Sequence, residues 1–393
     1  MKLFLAALLL AGSASAQPAP PPNPPPADPA TAAIIARMTA IPQARAVESP
    51  EAYSPAETVR GKPGAPFATA SRGVTAAALA AAQAYADGET SFALIVARNG
   101  RIVHEHYAPG FTPASRFSTA SMHKAVLALS FGPALKAGRI ALADRLDRYL
   151  PEYRGDPRGG ITIEQLLRMT GGLGTPPGAA PGPASPLAQL MFAPDIRAAT
   201  RAYALVTPPG SEFAYANVST QLAGQALGVA VGQRYADWLS SVLWQKIGAD
   251  DAALWLDRPD GNPHYFCCLQ ASARDWLRVG ELVRNQGKVA GKQVIAADWV
   301  QAITAPSPLN PNFGMNFWRG SPHAPVRGYG RGQALTVPAK APFARDDVVF
   351  IDGAGAQRVY VVPSAGLTIV RIGKPSLTWD DSALVNMVLA GLD

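Results

Sequence analysis

Ser121 is the only serine in the chain with a lysine, Lys124, three residues later. A serine hydroxyl becomes an effective nucleophile when a base lies within hydrogen-bond reach, and residues three apart on a helix share one face. The residues from Ala120 to Lys136 predict such a helix, whose unpaired N–H groups at its start, together with burial, favour a neutral lysine amine. Ser121 and Lys124 are therefore a candidate nucleophile and base; the alternative is a solvated pair on a helix surface.

Tyr215 is the only one of the eleven tyrosines with an asparagine, Asn217, two residues later. It follows the loop signal Pro208-Pro209-Gly210 and precedes a run from Val218 to Leu227 that predicts a helix. A tyrosine beside a Ser–Lys pair can carry a proton to the leaving group, and an amide can hydrogen bond both the lysine and a substrate carbonyl. The alternative is an ordinary loop tyrosine ahead of a helix.

A run of small residues from Asp352 to Gln357 lies between two predicted strands. Acyl transfer requires backbone N–H donors aimed at the developing oxyanion, and small residues let a substrate carbonyl approach the main chain closely. Asp352, Gly353 and Gly355 are therefore candidate substrate contacts. The alternative is a glycine-rich bend that only joins the strands.

In this order the three segments resemble the superfamily of serine β-lactamases, penicillin-binding proteins and esterases. The likeness is greatest to its class-C-like members, which include 6-aminohexanoate-dimer hydrolases, and it covers roughly residues 75–392. It implies that Ser121 is the nucleophile, Lys124 the base and Tyr215 the acid/base partner. It also implies that Asn217 contacts the substrate and that the N–H groups of Ser121 and Ala354 form the oxyanion hole.

The usual third motif of this superfamily, Lys-Thr-Gly or His-x-Gly, does not occur in the chain. By alignment to Pro363, Gly353 takes the place of the motif glycine, and Ile351 stands where the lysine or histidine would be. That cation normally meets the carboxylate of a β-lactam or a peptide, so its absence argues against penicillin recognition. Hydrolysis is still expected, because many esterases of the superfamily also lack the full motif.

The implied reaction is two-step acyl transfer through an acyl-enzyme on Ser121, without a cofactor. The expected substrates are small amides, of the 6-aminohexanoate or D-amino-acid type, and carboxylesters. One alternative is a β-lactamase or DD-peptidase in which Arg327 or Arg358 replaces the missing cation. Another, from a different class, is a penicillin-binding or sensor module that acylates without turnover.

Strand patterns occur near both ends of the hydrolase region and helix patterns occur between them, which predicts an α/β (α+β) fold. One antiparallel sheet would form from both ends, flanked by helices, with an all-helical insertion at about 140–305. The predicted strands are 92–97, 101–107, 313–318, 348–351, 358–362 and 367–372, and the predicted helices include 75–85, 120–136 and 376–392. Asn99-Gly100 predicts a hairpin, and Pro133 predicts a kink or an end in its helix.

Residues 1–16 predict a signal peptide, with a basic start, an apolar run and a small-x-small pattern that ends at Ala16. Residues 17–72 predict a linker and a loosely held arm, because eight of the twelve residues from Pro18 to Pro29 are proline. Residues 73–393 are then the hydrolase domain. Cleavage near Ala16 predicts a periplasmic or secreted protein, and no later run reaches the ~18 apolar residues of a membrane span.

The formal net charge is +7, but the basic residues are scattered and do not form the stripe that a nucleic-acid groove needs. We therefore predict a small-molecule substrate, no nucleic-acid partner and no stable membrane insertion, and the oligomeric state stays open. Cys267 and Cys268 are adjacent and cannot join distant segments; buried thiols are preferred to a vicinal disulfide. The histidines show no metal-ligand spacing, so no metal is predicted.

Overall fold

The computed structural model describes residues 28–42, 45–331 and 333–393. The predicted signal peptide and nearly all of the proline-rich run lie outside the described residues. In chain order the strands are β1 (Ala56–Val59), β2 (Ser91–Arg98), β3 (Arg101–Tyr107), β4 (Arg116–Ser118), β5 (Leu173–Gly174), β6 (Ala204–Leu205), β7 (Ala252–Trp255), β8 (Leu269–Ser272), β9 (Lys288–Val289), β10 (Lys292–Gln293), β11 (Trp318–Arg319), β12 (Val326–Gly328), β13 (Thr336–Pro338), β14 (Val349–Gly353), β15 (Gln357–Val362) and β16 (Leu367–Gly373). The α-helices are α1 (Pro29–Ala40), α2 (Ala76–Gly88), α3 (His123–Lys136), α4 (Ile163–Leu167), α5 (Pro186–Phe192), α6 (Ile196–Ala199), α7 (Asn217–Val231), α8 (Tyr235–Leu239), α9 (Ala273–Arg284), α10 (Ala297–Thr304) and α11 (Ala383–Ala390).

The largest sheet of the described residues is antiparallel, with the strand order β11-β14-β15-β16-β2-β3. Strands from both ends of the hydrolase region meet in it, which confirms the predicted fold class. Asn99 and Gly100 join β2 to β3 and adopt positive φ angles of 50° and 78°. That conformation at both central residues is what a two-residue type I′ hairpin requires, so the hairpin prediction is confirmed as well.

Helices cover both faces of this sheet. Side chains along a strand alternate between its faces, so Leu94 and Val96 pack with residues of α2 and α11, whereas Ile95 packs with residues of α9. Gly280 of α9 lies so close to the sheet that an added Cβ would be 2.6 Å from Thr368 Cγ2. The sheet is therefore the centre of the core, and its buried strands hold β14 in a fixed position beside the site.

The sequence predicted only helices and loops at about 140–305, but the structure also has strands in this stretch. It contains β5 to β10, and β7 and β8 form a second sheet with β1 and β4, in the order β1-β7-β8-β4. All four residues of β8 are buried, so the strand lacks the alternation of exposed and buried positions that marks a half-exposed strand. α9 also belongs to the layer of the large sheet, and the helical insertion is correspondingly shorter than predicted.

Pro133 lies inside α3, and the helix continues past it, although the sequence predicted a kink or an end there. A proline removes one helix N–H and disturbs the carbonyls of the preceding turn. Two indole groups donate hydrogen bonds in that turn, from Trp299 to Ala128 O at 2.9 Å and from Trp238 to Ser130 O at 3.2 Å. These bonds stabilise α3 as a continuous helix behind the nucleophile.

The N-terminal arm is held more firmly than the sequence predicted. Its strand β1 pairs with β7, and the Arg37 guanidinium in α1 donates to the carbonyls of Leu256 and Asp257 at 2.9 and 2.6 Å. One arginine carries five N–H donors and can therefore satisfy several main-chain acceptors at once. The described part of the arm is consequently packed on the second sheet.

Other sequence predictions differ in detail. The predicted strand 313–318 is reduced to its last residue, Trp318, and the C-terminal helix begins at Ala383 and not near Ser376. Helix α4 begins with a capping box formed by Thr162 and Gln165. No helix of the described ranges is long and apolar enough to cross a membrane.

Candidate active site

Ser121 lies in a single 3-10 turn, Ala120–Met122, between β4 and α3. Ala120 has a positive φ of 49°, a conformation that a residue with a side chain takes when its surroundings enforce it. One such constraint is the hydrogen bond from the Cys268 N–H to Ala120 O at 2.9 Å. The turn places Ser121 at the start of α3, where it stays partly exposed.

Lys124 is buried beside Ser121, as the spacing predicted. Its Nζ lies 2.8 Å from Ser121 Oγ, 2.9 Å from Asn217 Oδ1 and 2.6 Å from Phe266 O. Burial lowers the pKa of Lys124 well below its usual 10.5, although the charge of Asp352 opposes the shift. A neutral amine has two N–H donors and one lone pair. The carbonyl oxygens of Asn217 and Phe266 can only accept, so they take both donors and leave the lone pair for the Ser121 hydroxyl.

Tyr215 lies beside the same lysine, with the centre of its ring 5.0 Å from Lys124 Nζ. Burial raises the pKa of Tyr215 well above 10, and the charge of Asp352 adds to the increase. The phenol therefore keeps its proton at neutral pH, while burial favours the neutral form of the Lys124 amine. Of these two side chains, Lys124 is equipped to accept the serine proton and Tyr215 is equipped to donate one.

An aromatic cluster fixes the position of the Tyr215 ring. The ring stacks on Trp318 with 5.9 Å between centroids, and it meets Tyr329 and Phe313 edge-on at 5.2 and 6.2 Å. The Tyr215 N–H also donates to Tyr329 O at 2.8 Å. Phe313, Trp318 and Tyr329 could not be connected with the site from the sequence, because they are about a hundred positions away and show no catalytic pattern.

Asn217 is the first residue of α7, so the loop that carries Tyr215 ends where this helix begins. The sequence predicted that this amide bonds both the lysine and the substrate. Its Oδ1 does accept a hydrogen bond from Lys124 Nζ. The contact with the substrate stays a prediction.

β14 passes directly beside the nucleophile turn. A Cβ added at Gly353 would lie 2.3 Å from Thr119 O, so only glycine permits this approach. Ala354 and Gly355 follow in the turn to β15, where Gly355 has a φ of 79°. The two predicted oxyanion donors, the N–H groups of Ser121 and Ala354, therefore belong to segments that touch each other. Their role, and substrate contacts by Gly353 and Gly355, stay predictions.

Asp352, predicted as a substrate contact, belongs to a buried cluster of charged side chains. Arg358 binds Asp352 and also donates to Asp381 Oδ1 at 3.0 and 2.8 Å. Arg327 donates to Asp352 Oδ2 at 3.1 Å and to Asp381 Oδ2 at 2.7 Å, and the Tyr329 hydroxyl donates to Asp352 Oδ2 at 2.6 Å. Burial would raise the pKa of Asp352, but the charges of Arg358 and Arg327 outweigh it and hold the pKa below its usual value. Both carboxylate oxygens are thus engaged by the protein.

Neither arginine of this cluster can replace the cation of the missing third motif. Arg327 and Arg358 are 6% and 1% exposed, and each bridges the carboxylates of Asp352 and Asp381. The two guanidinium groups balance the two buried carboxylates, so the cluster has no excess positive charge for the carboxylate of a β-lactam. The sequence-based suggestion that one of them recognises such a substrate is therefore wrong. Ile351, at the position of the usual cation, is a buried core residue.

Cys267 and Cys268 form a disulfide with each other, whereas the sequence analysis preferred two buried thiols. The pair cannot join distant segments, but it adjoins the main chain that holds the base. Phe266 O, just before the disulfide, accepts from Lys124 Nζ, and Cys267 O lies 3.2 Å from His123 Nδ1. Phe266 could not be identified from the sequence, because Phe266 binds Lys124 through its carbonyl oxygen and every residue type has one.

His123 lies between the two candidate catalytic residues in sequence but has a structural environment. It is fully buried, and its Nε2 lies 3.1 Å from the Tyr235 hydroxyl. Burial lowers the pKa of His123 to about 4, so the ring is neutral at physiological pH. In the parts of the chain that the structure describes, no group of three or more His, Cys, Asp or Glu could hold a metal ion.

The chain matches the protein family described as beta-lactamase over residues 76–373. It is also 27% identical, over 223 residues, to the 6-aminohexanoate-dimer hydrolase of Paenarthrobacter ureafaciens. That match covers 54% of this chain and 57% of the relative, so the chain spans little more than half of the relative's length.

Two solved structures share the fold. A protein from Bacillus anthracis, provisionally named a 6-aminohexanoate-dimer hydrolase, has a TM-score of 0.69 at 21% identity, with 90% of this chain and 92% of that chain covered. EstCE1, a hydrolase with promiscuous acyltransferase activity, has a TM-score of 0.59 at 16% identity, with 80% and 97% covered. At these identities the likeness establishes the fold alone.

Proposed function

Because this chain belongs to the beta-lactamase family, we propose that it is a serine hydrolase that cleaves a small amide or ester through an acyl-enzyme on Ser121. One observation carries the proposal: the Lys124 amine lies 2.8 Å from the Ser121 hydroxyl and 5.0 Å from the centre of the Tyr215 ring. A serine so placed has a base for its proton and an acid for the leaving group.

The proposed reaction begins when Ser121 Oγ attacks the substrate carbonyl and Lys124 accepts the hydroxyl proton. The negative charge that develops on the carbonyl oxygen is stabilised by the N–H groups of Ser121 and Ala354. Tyr215 then donates a proton to the departing amine or alcohol and regains one from Lys124. A water molecule next attacks the acyl-enzyme, which releases the acid and restores the serine hydroxyl.

The residues around the site do not favour β-lactams. Ile351 puts an apolar side chain where a carboxylate-binding cation would stand, and Arg327 and Arg358 are already paired with carboxylates. The name of the Paenarthrobacter relative, a 6-aminohexanoate-dimer hydrolase, supports a linear amide as the substrate. The acyltransferase activity in the description of EstCE1 supports a covalent acyl intermediate.

A comparison of substrates tests this proposal. We expect kcat/KM for a short-chain p-nitrophenyl ester to exceed that for nitrocefin and penicillin G by a large factor, because nothing at position 351 binds their carboxylate. The 6-aminohexanoate dimer should also be hydrolysed. Hydrolysis of nitrocefin near ~10⁶ M⁻¹s⁻¹, the middle of the usual enzyme range, would contradict the proposed specificity. A single round of acylation without turnover of any substrate would favour a sensor.

Tyr215→Phe should affect amides much more than activated esters. The change keeps the ring and its stacking on Trp318 but removes the hydroxyl that donates the proton. An amine leaving group needs that proton, whereas p-nitrophenolate departs without it. We therefore expect a large loss of kcat/KM for an amide and a small loss for the p-nitrophenyl ester of the same acid.

Tyr203→Phe is the matched control for this prediction. Tyr203 is a buried tyrosine whose main chain bonds to Arg158 and Thr200, so its replacement should leave both activities near wild type. Equal losses for amide and ester in Tyr215→Phe would make Tyr215 a residue that only positions its neighbours.

We also propose that the protein is exported and cleaved after Ala16. The apolar leader with its small-x-small end supports this, and the disulfide between Cys267 and Cys268 fits an oxidising compartment. The intact mass of the protein recovered from the periplasm or the medium should correspond to a chain that begins at Gln17. A mass that corresponds to the full chain would contradict cleavage.

A further inference from the structure

The carbonyl oxygen of Gly353, at the end of β14, accepts a hydrogen bond from a buried guanidinium. Arg358 Nη1 donates to it at 3.3 Å and to Gln357 O at 3.0 Å, and Gln357 is the residue that pairs with Gly353 across the hairpin. The guanidinium is itself fixed, because Asp381 Oδ1 accepts from its Nε and Nη2 and Asp352 accepts from its Nη1. Arg358 is therefore a rigid anchor that neither solvent nor substrate reaches.

The orientation of this carbonyl also determines the direction of a neighbouring N–H. The peptide unit between Gly353 and Ala354 is planar and trans, so its C=O and N–H point in opposite directions. When Arg358 holds Gly353 O in the protein interior, the Ala354 N–H must face the other way. That N–H is one of the two donors proposed for the oxyanion, and Gly353 packs against the turn that carries the other.

We propose that Arg358 is a positioning residue for acyl transfer: by holding the Gly353 carbonyl it aims the Ala354 N–H at the substrate oxygen that becomes negatively charged. This inference rests on the proposed function. The loss of one oxyanion donor costs about 10²- to 10³-fold in kcat. Because Arg358 is buried and does not touch the substrate, the loss should appear in kcat and leave KM nearly unchanged.

Arg371, in β16, offers a matched control because its guanidinium binds carbonyls of the same turn. It is as completely buried, and its Nη1 donates to Gly355 O at 3.2 Å and to Ala356 O at 3.1 Å. The N–H groups of those peptide units belong to Ala356 and Gln357. A change at Arg371 therefore disturbs the turn without rotating the peptide unit that carries the Ala354 N–H.

The test compares Arg358→Lys with Arg371→Lys on an ester and on its thionoester. Sulfur is a weaker hydrogen-bond acceptor than oxygen. The ratio of kcat/KM for the ester to kcat/KM for the thionoester therefore measures what the oxyanion hole contributes. We expect Arg358→Lys to lower kcat for the ester by at least about tenfold, towards the 10²- to 10³-fold cost of a lost donor, and to lower the ratio by a similar factor. Arg371→Lys should keep the wild-type ratio, whatever its effect on thermal unfolding.

Asp381→Asn provides a second variant in case Arg358→Lys does not fold. It keeps the shape of the side chain but weakens the anchor of Arg358, so it should lower the same ratio by a smaller factor. The proposal is overturned if the folded variant keeps the wild-type ratio, or if Arg371→Lys lowers it as much as Arg358→Lys does. A wild-type ratio near one would instead contradict the proposed oxyanion hole, and with it the proposed function.

Discussion

Replacement of Ser121 by alanine should lower kcat/KM for a short p-nitrophenyl ester by at least about 10³-fold, as the loss of a nucleophile does in other serine hydrolases. The variant keeps the buried Lys124 and the Tyr215 ring, but it has no oxygen to form the acyl-enzyme. Only transition-state stabilisation by the remaining groups would then be left. Steady-state kinetics of the purified variant, at matched protein concentration, measure the effect.

Ser130→Ala is the matched control for Ser121→Ala. Ser130 lies on the same helix, α3, and is completely buried, and its hydroxyl donates to Leu127 O at 2.7 Å. Its loss should lower stability slightly and leave kcat/KM near the wild-type value. If Ser121→Ala retained wild-type turnover, another nucleophile would have to carry the reaction.

Replacement of Lys124 by alanine should slow acylation severely and remove the rising limb of the pH–rate profile. The pKa of Lys124 is lowered by burial, so in the wild type the reactive neutral amine increases as the pH rises through that lowered value. The wild-type rate should therefore rise at a pH well below 10.5 and then level off. It should fall again only at high pH, where Tyr215 loses its proton, because burial raises the pKa of that phenol.

Lys136→Ala serves as the control, since Lys136 is exposed at the other end of α3 and should not affect the profile. The measurement is kcat/KM for the p-nitrophenyl ester as a function of pH for both variants, corrected for the spontaneous hydrolysis of the ester. A rising limb that persists unchanged in Lys124→Ala would show that a different group is the base.

The sequence was sufficient to predict that Lys124, Tyr215 and Asn217 lie near Ser121. The spacing of Ser121 and Lys124 predicts proximity because helix geometry is local, and the structure has the two atoms 2.8 Å apart. The hairpin at Asn99-Gly100 could be predicted for the same reason, since a two-residue turn depends on its own residues. Tyr215 and Asn217 were predicted from the spacing of a tyrosine and an asparagine, and in the structure both lie beside Lys124.

The remaining features depend on contacts between distant segments or on main-chain atoms. Phe266 binds Lys124 through its carbonyl, and any residue type has one. The charged cluster joins Asp352 and Arg358 to Arg327 and Asp381, so its pairing depends on how the C-terminal strands and loops pack. As a result the sequence left the arginines open as substrate-binding cations, although in the structure they balance two buried carboxylates.

The strands β7 and β8 were missed for another reason. Each has only four residues, which are too few to establish a period of two, and β7 is wholly apolar. A short apolar run cannot be distinguished from part of a helix by periodicity. Only the pairing with β1 and β4 identifies them as strands.

The most direct test of the proposed nucleophile is to locate the covalent adduct. The wild-type protein is incubated with a fluorophosphonate probe, and the modified residue is identified by intact-mass and peptide mass spectrometry. The structure predicts one adduct per chain, on Ser121, and none in Ser121→Ala. An adduct on a different residue, or equal labelling of the Ser121→Ala variant, would contradict the assignment of Ser121 as the nucleophile.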